Sequence, residues 1–147
     1  MMLRAFALLL LMLPGLALAQ ARDDSAPAGA AGWMDRFFGY AAYKSGYYQR
    51  AMDLWLPLAE AGDARAQEFV GILHEGGYGV PKDIGKAIEW YELAATSGDM
   101  AAQYNLGRIY LEGKLVEQDV ERARELLHRA AEQGDEDAEA LLQIPTN

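Results

Sequence analysis

The sequence predicts an all-α fold, a short solenoid of stacked antiparallel helix hairpins, on two observations. The first is internal repetition. Residues 64–99 laid over residues 100–135 match at one offset of 36 without an insertion: Gln67 falls on Gln103, Gly71 on Gly107, Gly77 on Gly113, Asp83 on Asp119, and Ala87 on Ala123. Gly98 and Asp99 likewise fall on Gly134 and Asp135, and the frame runs back to Ala51, Gly62 and Asp63 and forward to Ala138 and Leu142. A period of this size marks helical hairpins that bury their apolar faces only by stacking. The second observation is composition: hydrophobic residues reach 52%, much of it alanine, as suits helices that approach closely.

In chain order, the first 19 residues read as an export signal. Arg4 supplies the positive start, an uncharged Ala and Leu run follows, and the small residues Ala17 and Ala19 mark a cleavage site. Pro14 and the shortness of the run argue against a membrane span. Residues 20–32, rich in Ala, Asp, Gly, Ser and Pro, read as a flexible leader. Residues 33–63 read as a starter hairpin, 64–99 and 100–135 as two full units, and 136–147 as a closing helix and tail. In each Gly-Asp turn, glycine can take the left-handed conformation that ends one helix and aspartate can cap the next. The second helices carry apolar sets at i, i+3, i+4, i+7: Ala51, Leu54, Trp55, Leu58; Ala87, Trp90, Tyr91, Ala94; Ala123, Leu126, Leu127, Ala130. Gly71 and Gly107 fall in mid-helix, where glycine costs about 1 kcal/mol relative to alanine, and so predict the close approach of another backbone.

These residues resemble a known family. Ala66, Gln67, Gly71, the run Gly77, Tyr78, Gly79, Val80, Pro81, Lys82, Asp83, and then Ala87, Trp90, Tyr91, Ala94, Ala95 and Gly98 look like the Sel1-like repeat (SLR), a relative of the tetratricopeptide repeat (TPR). Gln103, Gly107, Tyr110, Gly113, Asp119, Ala123, Ala130 and Ala131 repeat the pattern. The second unit departs in carrying Leu126 and Leu127 for the Trp-Tyr pair, and the first has His74 where tyrosine is usual. The opening hairpin, with its short turn at Ser45 and Gly46, is more TPR-like.

Several chemistries are disfavoured. With no cysteine, disulfides, thiolate metal sites and cysteine nucleophiles are excluded. The net charge of −9, or −10 once the segment holding Arg4 is removed, argues against nucleic acid and against an anionic membrane surface. The stretch from Gly79 through Lys86 has the wrong glycine spacing for a phosphate loop and no Ser or Thr after the lysine. His74 and His128 sit in different units, and Ser45 and Ser97 lack a nucleophile-elbow context. The carboxylates Glu132, Asp135, Glu136, Asp137 and Glu139 lack the glycine turn and spacing of a calcium loop and read as a solvated helix start. No catalytic residue, cofactor or metal is expected.

The family resemblance implies that the first helix of each hairpin lines a concave side where partners bind. On that alignment the contact residues are Tyr40, Tyr43, Tyr104 and Arg108, with Trp33 and Phe37, the residue types that dominate binding hot spots. Trp33 and Phe37 have a second reading, as an N-terminal cap packed under the following hairpin. The functional expectation is a non-enzymatic exported module, periplasmic or else secreted, that binds a protein or peptide. The alternative is a cell-wall or polysaccharide enzyme, or a glycan-binding accessory protein, because aromatic faces also stack on sugar rings.

Overall fold

A computed structural model describes the backbone of residues 28–145 and the side chains of residues 32–145. The export signal expected over 1–19 lies outside the described residues. Seven helices follow in order: α1 (Ala28–Lys44), α2 (Tyr48–Glu60), α3 (Ala64–Gly76), α4 (Ile84–Thr96), α5 (Met100–Glu112), α6 (Val120–Glu132) and α7 (Glu136–Leu142). Each packs chiefly on its neighbours in sequence, and α5 also touches α7. The architecture is an all-α solenoid of helical hairpins. Helix α1 begins at Ala28, inside the stretch expected to be leader, because Ala28, Ala30 and Ala31 favour a helical backbone.

Local chemistry sets the ends of the helices. Asp63, Asp83, Asp99, Asp119 and Asp135 each cap a helix by accepting the backbone N–H three residues on, from Ala66, Lys86, Ala102, Arg122 and Ala138. Such a cap contributes about 1 kcal/mol. The preceding glycines of the tight turns, Gly62, Gly98 and Gly134, have φ of 93°, 90° and 97°. A side chain would be strained there. The starter hairpin lacks this device: Tyr47 precedes α2 without a side-chain cap.

Three clusters form the core along the array. Ala51, Met52, Trp55 and Ala59 of α2 meet Ala66, Val70 and Leu73 of α3. Ala87, Tyr91, Ala94 and Ala95 of α4 meet Ala102, Leu106 and Ile109 of α5. Leu127 and Ala130 of α6 meet Ala138 of α7. The apolar sets expected on the second helices are buried except for Leu54, Leu58 and Trp90, which are half-buried at the margin of the stripe. At two joints an amide crosses to the preceding helix: Gln67 Nε2 donates to the Ala59 carbonyl at 3.1 Å and Gln103 Nε2 to the Ala95 carbonyl at 3.2 Å.

The mid-helix glycines admit side chains more than backbone, which corrects the expectation. A Cβ on Gly71 would stand 2.5 Å from the Tyr91 ring, and one on Gly39 would strike the Trp55 indole. Only at Gly107 does backbone contribute, the Ala123 carbonyl lying 3.1 Å from such a Cβ beside the Leu127 side chain. The reason is the size of the partner: Trp55 and Tyr91 are large and almost completely buried, so the opposing helix must give up its Cβ.

Candidate protein-interaction surface

The first helices of successive hairpins touch, and their side chains fall into two rows when aligned on Gly39, Gly71 and Gly107. The outward row holds exposed Trp33, Phe37 and Tyr40 of α1, then exposed Arg65 with half-buried Phe69 and Ile72 of α3, then half-buried Asn105 and Arg108 of α5. Trp33, Phe37 and Tyr40 are 55%, 62% and 48% exposed, so neither Trp33 nor Phe37 is packed under the next hairpin as a cap. Tyr40 lies 6.1 Å from the Phe69 ring, which stacks on Trp55 at 4.3 Å and carries the Arg65 guanidinium 5.3 Å from its centre. The aromatic patch of α1 thus continues onto α3 and rests on the core.

Tyr43 and Tyr104 stand in the second row, turned toward the following hairpin and half-buried. Tyr43 meets the rings of Tyr48, Trp55 and Tyr78 within 6.0 Å. Tyr104 packs against the third cluster, beside α7. Burial raises the pKa of both phenols, so they remain neutral. Of the six expected contact residues, the structure brings Trp33, Phe37 and Tyr40 together in the outward row and sets Arg108 further along it.

Arg108 is held by carboxylates. It donates to Glu75 Oε1 at 2.5 Å and to Glu112 Oε1 at 3.4 Å, while the buried Tyr91 hydroxyl donates to Glu75 Oε2 at 2.7 Å. Burial works against the guanidinium charge, but these two carboxylates outweigh it and raise the Arg108 pKa. The guanidinium is therefore fixed in place before any partner arrives. Arg36 of α1 is fixed in the same way by Asp63.

The joint between α3 and α5 holds Glu68, only 3% exposed. Asn105 Nδ2 donates to its Oε1 at 3.3 Å, and Arg65 lies 3.6 Å from its Oε2, which has no hydrogen-bond partner. Burial pushes its pKa to about 7 against the opposing pull of Arg65, with the carboxylate of Asp99 adding to the rise. The repeat alignment places Glu68 and Arg108 on the first helices, but nothing in the sequence discloses that Glu68 is buried or that Glu75, itself held by Tyr91, anchors Arg108. The near-repeat spacing of Glu68 and Asn105 was the one available hint.

The residues weighed for other chemistry have structural positions. His74 is half-buried with Nδ1 unpartnered, and burial lowers its pKa. Asp83 caps α4 through Lys86 N–H, accounting for the glycine-rich stretch before it, and Asp135 caps α7. No described helix is long and apolar enough to cross a membrane.

Comparison with known proteins follows the same frame. A model described as the Sel1 repeat matches residues 64–99 and 101–135. The chain is a Sel1-like repeat protein. The array is similar in structure to a Sel1 repeat protein from Oxalobacter formigenes, with a TM-score of 0.68 and 32% identity over 73% of this chain and 43% of that one. It is also similar to c5321, a protective antigen of uropathogenic Escherichia coli with an SLR fold, with a TM-score of 0.66 and 30% identity over 73% of this chain and 24% of that one. A third likeness is to Helicobacter pylori cysteine rich protein B, with a TM-score of 0.64 and 26% identity over 76% of this chain and 86% of that one. The chain thus spans less than half the length of the first two. No curated protein matches it. Sel1 repeat proteins generally mediate protein–protein interaction, and the family is typically a non-enzymatic scaffold.

Proposed function

We propose that this Sel1-like array is an exported, non-enzymatic module that binds a protein or peptide along the face formed by its first helices. The observation that carries the reading is the outward row itself: exposed Trp33, Phe37 and Tyr40 of α1, continued by Phe69 of α3, with Arg108 of α5 already immobilised against Glu75 of α3. Aromatic and arginine side chains combine apolar area with directed polar contacts, and side chains already held in place lose little freedom on docking. Tyr104 borders this row and contributes from the joint with α7.

The test is crosslinking and co-purification of the exported protein from its native envelope fraction, followed by binding measurements on variants. Tyr40→Ala, Tyr104→Ala and Arg108→Ala should each weaken a captured complex by about tenfold or more, as truncated hot-spot residues do, while circular dichroism reports an intact helical array. Replacing Glu136, Asp137 and Glu139 together with glutamine should alter salt dependence and association rate more than dissociation. If that charge variant abolishes binding and the other three do not, the assignment of the face is withdrawn. Turnover of a cell-wall polysaccharide by the purified protein would overturn the non-enzymatic reading.

A further inference from the structure

The solenoid register exposes a second surface, at the N-terminal end of the array. Within the array, Ala66, Val70 and Leu73 of α3 and Ala102, Leu106 and Ile109 of α5 occupy equivalent positions and are buried against the preceding helix. The same positions on α1 are Met34, Phe38 and Ala41. All three are exposed, Met34 at 43% and Phe38 at 48%. On α2, Leu54 holds the register at which Trp90 and Leu126 reach into a core cluster. Residues that form interior joints elsewhere thus face outward here, on the side of α1 away from α3.

We infer that this end face is a self-association surface, covered by the same face of a second copy across a two-fold axis. Three observations favour that occupant. The patch is a single helix face, so its two-fold mate offers an equally apolar counterpart. With neighbouring Trp33 and Phe37, Met34 and Phe38 present roughly 400 Å² per copy, taking half of the ~200 Å² carried by a large apolar side chain. Two copies supply roughly 800 Å² before flanking residues are counted, close to the ~1,000 Å² at which specific interfaces begin. Charge points the same way. Helix α1 carries only Asp35 against Arg36 and Lys44, in a chain of net charge −9, so it is a face on which two acidic copies can meet with little repulsion. Residues 20–27, with Arg22, Asp23 and Asp24 and no large apolar side chain, offer no comparable cover.

Sedimentation equilibrium of the exported chain over a concentration series tests this directly. The mass should rise from one chain toward two across the micromolar range, as suits an interface of this modest area. Phe38→Glu should weaken association by about tenfold or more without loss of helical signal. Because the chain has no cysteine, Phe38→Cys provides a second readout. It should form a disulfide-linked dimer on oxidation, whereas Leu93→Cys, at an exposed position on α4, should not. A parent chain that stays monomeric, or a Phe38→Glu variant that associates as the parent does, overturns the inference. Trp33 and Phe37 border both surfaces, so partner binding is read separately through Tyr40 and Arg108, which lie outside the end face, and either proposal can fail without the other.

Discussion

Glu68→Gln should make the array less sensitive to rising pH. Glu68 is a carboxylic acid in a dry joint, with its pKa raised from the ordinary 4.5 to about 7. An acid whose pKa is raised by folding binds its proton more tightly in the folded state. It therefore favours folding below the unfolded pKa, and this contribution fades as pH rises from about 4.5 through about 7. The difference corresponds to roughly 3 kcal/mol between full protonation and full ionisation. Arg65 offsets only part of the cost, because its guanidinium is half exposed and also serves Asp99 at 3.5 Å. Glutamine keeps the shape and an oxygen for Asn105 but cannot ionise. Any constant cost of its new amide affects stability equally at every pH and cancels from the slope. Urea unfolding of both proteins at a series of pH values should show the variant gaining roughly 3 kcal/mol on the parent between about pH 4 and about pH 8. Parallel stability curves, or a parent that gains on the variant as pH rises, would refute the reasoning by showing that the ion pair with Arg65 outweighs burial.

Three further outcomes are expected. Gly71→Ala should destabilise by about 1 to 3 kcal/mol in urea unfolding, despite alanine's better helix propensity, because the Tyr91 ring it would strike is buried and tethered to Glu75. Leu106→Ala should cost roughly 2 to 5 kcal/mol, since this side chain is buried at the joint of two hairpins; a melting temperature within a degree or two of the parent would contradict the register. Amino-terminal sequencing of the protein from its native cell should begin at Gln20, and a retained leader would overturn the assignment of export.

The legible parts of the fold were those whose causes are local. A Gly-Asp pair ends one helix and caps the next using atoms within three residues of itself, so the turns at Gly62, Gly98 and Gly134 could be placed from the sequence. The site was less legible because its determinants come from different hairpins. Helical spacing places Tyr43 and Tyr40 on the same helix, but only packing shows that Tyr43 is absorbed by Trp55, Tyr48 and Tyr78 while Tyr40 stays exposed. Similarly, Arg108 reads as a free cation until Glu75, one repeat earlier, is seen beneath it. The burial of Glu68 depends on Asn105 and α5 covering it, and no pattern within α3 discloses that cover.

The amide bridge from Gln67 to Ala59, and again from Gln103 to Ala95, bears on how such an array can lengthen. Donor and acceptor sit at the same two places in both, one on each side of the Gly-Asp turn, whereas the third turn carries Glu139 where the donor would stand. Duplicating a whole period at that turn would therefore bring a new donor to a new acceptor without disturbing the old joints. The angle between hairpins is fixed by chemistry that travels with the repeat, while the number of hairpins is not fixed by anything in the joint. Growth by duplication would extend the surface in equal steps, preserving the spacing between displayed side chains, so that each added hairpin could acquire its own contacts while the existing ones keep their alignment.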